Sequence, residues 1–176
     1  MSEQQVEVSP EELESSGMEG VAGKYMTFKL DREAYGLEIL RVREIIGLME
    51  ITRVPRTSGY IRGVINLRGK VIPVVDLRLK FGMESAEATD QTVIIVVQFA
   101  QGEGQMVMGI LVDEVVEVLD IPADQIEPPP TFGGESGNFK FILGVGKSEK
   151  RVIILLDIGK VLREEQEVSM AGLEAA

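Results

Sequence analysis

The chain has 176 residues and a formal net charge of −11, with no Cys, no His and no Trp. Without Cys and His it lacks thiol nucleophiles, the usual neutral-pH general base and the favoured ligands of zinc, copper and iron, so any catalysis would have to run on carboxylates, Lys, Ser or Tyr. No disulfide framework is available, Met1 is not followed by a basic and then apolar leader, and the longest apolar run, Val93 to Val97, is far below the roughly 20 residues of a membrane span; these features predict a cytoplasmic protein.

The charge is divided unevenly. Residues 1–23 hold six acids and no base, and residues 163–176 hold four acids and one base, so the body is nearly neutral. Within the body, residues 41–80 carry nine bases and three acids, whereas residues 81–139 carry eleven acids and no base. Nucleic acid is a poor partner for such a chain, and a basic half beside an acidic half suits directional docking between proteins.

Residues 1–23 read as a disordered acidic tail in which Ser9-Pro10-Glu11-Glu12 has the form of a helix start. Lys24 to Leu30 alternates as a strand with one wet face, and Tyr35 to Leu40 and Val42 to Ile46 read as further strands. Val64 to Leu67 and Val71 to Val75 form a hairpin around Arg68-Gly69-Lys70, with Gly69 supplying the positive φ of a tight reversal. Arg68 at the tip is either a solvated turn residue or a guanidinium presented to a partner. Pro73 predicts an edge or bulged strand. Asp76 caps a short turn of helix, Leu77 to Phe81, closed by Gly82.

Residues 83–91 read as a polar linker, and Thr92 to Phe99 as a strand buried on both faces. Met106 to Leu119 follows as a strand pair or bent strand, then a loop with Pro122, Pro128-Pro129-Pro130 and a glycine-rich run at 133–137. A second hairpin spans Phe139 to Val145 and Arg151 to Asp157, and Ile158 opens a helix that ends in an acidic tail from residue 163.

The second half repeats the first. Gly36, Val42, Glu44, Ile45 and Pro55 recur 73 positions later as Gly109, Val115, Glu117, Val118 and Pro128. Ile61, Gly63, Val64, Val71, Ile72, Asp76 and Leu77 recur 81 positions later as Ile142, Gly144, Val145, Val152, Ile153, Asp157 and Ile158. A duplicated unit of about five strands predicts two thin barrels that share apolar surface.

No stretch supports an enzyme, a metal or a cofactor. Gly144-Val145-Gly146-Lys147-Ser148 has the composition of a phosphate loop, but Phe141 stands where the first glycine belongs and a strand follows where a helix is needed. Asp113, Glu114, Glu117 and Asp120 match neither a hydrolase pair nor a calcium loop, and read as a wet strand face or a patch for a basic partner.

Tyr35-Gly36-Leu37-Glu38-Ile39-Leu40, Val42-Arg43-Glu44-Ile45, Thr52-Arg53-Val54-Pro55, Ile61 to Gly69, Ile72 to Arg78 and Gly109 to Asp113 together resemble the CheW family of bacterial chemotaxis coupling proteins. The resemblance covers Tyr25 to Leu162. It implies a mainly all-β fold of two SH3-like five-stranded β-barrels with short helices, intertwined over residues 24–162, with the repeat boundary near 83–91. It also implies a non-catalytic adaptor between the cytoplasmic tip of methyl-accepting chemoreceptors and the regulatory domain of the histidine kinase CheA. By motif, Val42, Glu44, Gly63 and Arg68 would form the contact surface, with Ile39 and Val42 facing a helical receptor tip between the barrels. A CheW-like scaffold of a non-flagellar chemosensory pathway and a generic peptide-binding barrel are the alternatives.

Overall fold

Strand connectivity decides how the two repeats share the molecule. The computed structural model describes residues 18–129 and 140–163. Its strands are β1 (Gly23–Leu30), β2 (Glu33–Glu38), β3 (Val42–Gly47), β4 (Ile61–Leu67), β5 (Lys70–Asp76), β6 (Val93–Gln101), β7 (Gly104–Val112), β8 (Glu114–Ile121), β9 (Ile126–Glu127), β10 (Ile142–Ser148) and β11 (Arg151–Leu156). They form two sheets, ordered β8-β1-β2-β11-β10-β9 and β3-β6-β7-β5-β4.

Neither sheet belongs to one repeat. The opening hairpin of the first copy, β1–β2, joins β8 to β11 of the second, while β6–β7 of the second joins β3 to β5 of the first. Equivalent strands make equivalent pairings: β1 with β8 and β6 with β3 antiparallel, β2 with β11 and β7 with β5 parallel. The copies have exchanged hairpins, so the barrels are intertwined.

Each sheet closes in the same way. Past a 3-10 turn at Ala123–Gln125, β8 continues as β9 and pairs with β10, so this six-stranded barrel has five strands with one bent in two. In the five-stranded barrel, Thr52 pairs with Val64 of β4, with Thr52 N–H to Val64 O and Val64 N–H to Thr52 O both at 2.8 Å.

The largest apolar cluster lies between the barrels, as expected of two units too small for ample cores of their own. Met26, Phe28, Leu30 and Leu37 from one sheet meet Val75, Ile95, Val97, Phe99 and Ile110 from the other, and Ile158, Val161 and Leu162 of the helical residues 158–163 join them. A smaller cluster fills each barrel, around Tyr25 and Leu155 in one and Ile65 and Val74 in the other. Aromatic rings in contact cross the junction from Phe28 through Tyr35 and Phe81 to Phe141, with centroids 5.6–5.7 Å apart, the outer two pairs stacked and the middle one tilted.

Several expectations from the sequence change here. Strand β1 has no wet face, because one side lies in the shared core and the other inside its own barrel. Thr27, 1% exposed, is satisfied there by donating to Glu117 O at 2.8 Å and accepting from Glu117 N at 3.2 Å. Pro73 does not mark an edge: β5 lies between β4 and β7, and the parallel ladder with β7 begins one residue later, at Val74. Residues 18–23, assigned to the tail by composition, include Met18, Val21 and Ala22 packed on the six-stranded barrel's cluster, and Gly23 opens β1. Residues 1–17, the glycine-rich run 133–137 and residues 164–176 lie outside the described residues.

The short helix follows its sequence signals. Asp76 Oδ1 accepts from Leu79 N–H at 3.4 Å to cap Leu77–Lys80. Met83 N–H to Arg78 O and Gly82 N–H to Leu79 O, with Gly82 at φ +79°, complete a Schellman stop.

Candidate functional site

The β4–β5 hairpin is tighter than Gly69 alone requires. Leu67 faces Lys70, leaving Arg68 and Gly69 as a two-residue loop with φ of +53° and +88°. Both values are positive, as in the turn whose twist matches the flanking strands. Asn66 Oδ1 accepts from Gly69 N–H at 2.9 Å and holds the loop. The Arg68 side chain is therefore launched from a left-handed position that an L-residue adopts only at a cost.

Its partner is Glu44. The Arg68 Nη2 donates to Glu44 Oε2, joining the hairpin tip to β3 across the rim of the five-stranded barrel. A bulge makes this possible. Val42 faces Val97 and Glu44 faces Val96, with Arg43 the extra residue, so the side chains of 42 and 44 point to opposite faces. Val42 packs on the shared core, whereas Glu44 turns toward the barrel mouth where Arg68 stands.

The other residues implied by resemblance have different placements. Ile39 lies on the 3-10 turn Ile39–Arg41, where the chain crosses from one barrel to the other, and with Val42 is half-buried against the shared core. The exposed apolar side chain of that turn is Leu40, 83% exposed. Gly63 is buried at a bulge of β4 with φ +140°, and a Cβ there would stand 2.0 Å from Thr52 O. It permits the close approach that shuts the barrel and presents no side chain.

The second barrel repeats the device with a changed basic partner. Glu117, the counterpart of Glu44, pairs with Arg151 Nη2 at 3.1 Å, while Glu149 occupies the position of Arg68 at φ +55°. Each pair is flanked by exposed aliphatics at equivalent positions, Ile45 and Val71 in one barrel and Val118 and Val152 in the other. Three of the four carboxylates clustered in sequence are thus dispersed onto separate bases, Asp113 on Arg78, Glu117 on Arg151 and Asp120 on Lys24. Among the described residues no group of three or more side chains could hold a metal. Gly144 to Ser148, with the composition of a phosphate loop, lie within β10, in extended backbone with no helix behind them.

The molecule is thus two exchanged barrels joined by a shared core with a paired ionic rim, and the CheW-like domain family matches residues 24–166. The chain belongs to the CheW family. It is similar to the chemotaxis protein CheW of Klebsiella aerogenes, 40% identical over 148 residues covering 84% of this chain and 86% of that protein. It is also similar to the chemotaxis protein CheW of Rhizobium meliloti, 36% identical over 141 residues, 80% of this chain and 88% of that one. The crystal structure of the scaffolding protein TtCheW from Thermoanaerobacter tengcongensis superimposes with a TM-score of 0.68 at 36% identity, over 77% of this chain and 88% of that chain.

Within this CheW-family fold, sequence reasoning missed an ionic clamp between the barrels. Arg78 Nε and Nη2 donate to Asp113 at 2.9–3.1 Å, Nη1 donates to Glu84 O at 2.8 Å, and Asp31 N–H donates to Asp113 Oδ2 at 2.6 Å. Asp31 sits in the β1–β2 turn of one barrel, Arg78 in the helix after β5 of the other, and Asp113 where β7 passes to β8. Burial by itself would raise the Asp113 carboxyl, but the Arg78 hydrogen bond, the Asp31 N–H and the Arg78 charge outweigh it and hold it below its usual value. Only the arginine in Asp76-Leu77-Arg78 hinted at this, because its partners are 47 and 35 positions away.

Proposed function

We propose that the chain is a non-catalytic adaptor that joins the cytoplasmic tip of methyl-accepting chemoreceptors to the regulatory domain of the histidine kinase CheA. The observation that carries this reading is the Glu44–Arg68 pair, displayed at a barrel rim by a bulge and a strained turn in a CheW-family fold. A charged pair held by stiff strands gives direction to a protein contact and loses little entropy on binding. Ile39 and Val42 at the crossover between barrels offer an apolar strip for a helical partner, beside exposed Leu40.

Such an adaptor works in the cytoplasm and reaches receptor arrays through protein contacts. No helix among the described residues is long and apolar enough to cross a membrane. The domain limits follow the same reading, with residues 24–162 as the coupling unit and the acidic ends outside it.

The test is co-sedimentation with receptor-containing membranes and the kinase, read as kinase activation. Arg68→Ala is expected to abolish activation while the protein stays folded. Normal activation by this variant would overturn the assignment. Val42→Lys is a less clean probe, because Val42 packs on the shared core and a lysine there also costs stability.

A further inference from the structure

The basic stretch 41–80 does not form a uniform positive face. Arg41 is paired with Glu38, Arg62 with Asp76, Arg68 with Glu44 and Arg78 with Asp113 and Asp31, while Lys80 lies 4.5 Å from the centre of the Tyr60 ring. Arg43, Arg53, Arg56 and Lys70 have no anionic partner among the described residues. Two of these four, Arg53 and Arg56, stand with Arg62 in the walls of one open cavity of about 400 Å³ beneath the 53–59 loop.

That loop is stiff. Its base is fixed by the Thr52–Val64 bridge and the close approach at Gly63. Thr57 Oγ1 donates to Val54 O at 3.0 Å, and Ile61 N–H donates to Ser58 O at 3.0 Å. Arg56 follows Pro55 and takes a φ of +65°, a position that backbone sterics reserve for glycine or asparagine. A long cationic side chain is the wrong choice there for the backbone alone, so the turn spends strain to hold a guanidinium in place.

We propose that this groove docks an acidic peptide segment of a partner protein, with Asp or Glu carboxylates on Arg53 and Arg56 and the segment's backbone lying along Val54 and Ile61. Guanidinium groups match carboxylates in a planar, bidentate fashion. Val54, Pro55 and Ile61 give the cavity an apolar wall that suits the side chains of a peptide and offers nothing to a polyphosphate chain. The surface is separate from the Glu44–Arg68 rim and does not rest on the adaptor reading.

The test uses the full chain and a fluorescein-labelled Glu-Ala repeat peptide, followed by anisotropy at low salt. Arg53→Glu combined with Arg56→Glu is expected to weaken binding at least about tenfold, whereas reversing two bases of the other barrel, Arg32→Glu with Lys150→Glu, changes it less than about twofold. Arg53→Lys with Arg56→Lys, which keeps the charge and the fold, is expected to fall between them. Equal weakening by both charge-reversed proteins would show that binding follows the overall charge of the chain and not this groove, and would overturn the proposal. So would unchanged binding in the groove variant, displacement by inorganic phosphate as effective as by unlabelled peptide, or tighter binding of an oligonucleotide of equal charge.

Discussion

Arg68 and Glu44, 24 residues apart, are joined across a barrel rim because Arg43 is an extra residue in β3 and because Arg68 accepts a left-handed backbone. Two local departures from regular β structure therefore meet in one ion pair. Their costs and gains can be separated by substitution.

Arg68→Ala removes the pair and keeps the unfavourable φ, whereas Arg68→Gly removes both. The pair is largely exposed, so its loss should cost about 0.2–1 kcal/mol. Relief of the turn should make Arg68→Gly more stable than Arg68→Ala by about 1 kcal/mol. Urea denaturation of the two proteins measures the difference, and both are expected to be inactive in coupling.

Gly63→Ala should be among the most damaging small substitutions. The added methyl would enter the Thr52 carbonyl, and the φ of +140° is unfavourable for any L side chain. A loss of about 3 kcal/mol is expected, with faster hydrogen exchange at the Thr52 and Val64 amides as the five-stranded barrel opens.

Asp113 sets an acid limit on stability. Its folded pKa lies below the ordinary value of 3.8, so the native state holds this proton more weakly than the unfolded chain does. The contribution is therefore fully present above pH 3.8 and is lost as the pH falls through the lower folded value. Asp113→Asn should be less stable than the parent at neutral pH, with the gap narrowing below pH 3.8, as measured by thermal melts across the acid range.

Tyr25 sets the alkaline counterpart. Burial first, and Glu38 second, hold its hydroxyl well above the usual 10.0, and the hydroxyl donates to Val21 O. Because the folded pKa is raised, stability is intact below pH 10.0 and declines as the pH rises above it. Tyr25→Phe should lose about 1 kcal/mol at neutral pH and show a weaker alkaline decline in stability.

Strand positions and the repeat were legible from composition and periodicity. The correspondence of Val42 with Val115, and of Asp76 with Asp157, held as matched pairings and matched helix caps, for Asp157 Oδ1 accepts from Lys160 N–H as Asp76 Oδ1 does from Leu79 N–H. Arg68 and Glu44 could each be named, yet their contact could not. A bulge reverses which side of a strand a residue faces, and alternation of apolar and polar residues across one extra position does not reveal it.

The sequence by itself determined that this is a duplicated β protein without Cys or His chemistry, because residue types and a repeat spacing need no partner strand to be read. Tertiary structure alone decided that the copies exchange hairpins, that Arg78 of one barrel holds Asp113 and Asp31, and that Arg53 and Arg56 share a groove. The physical reason is that a strand's period of two tells which side chains are buried, whereas the strand it pairs with is chosen by long-range packing.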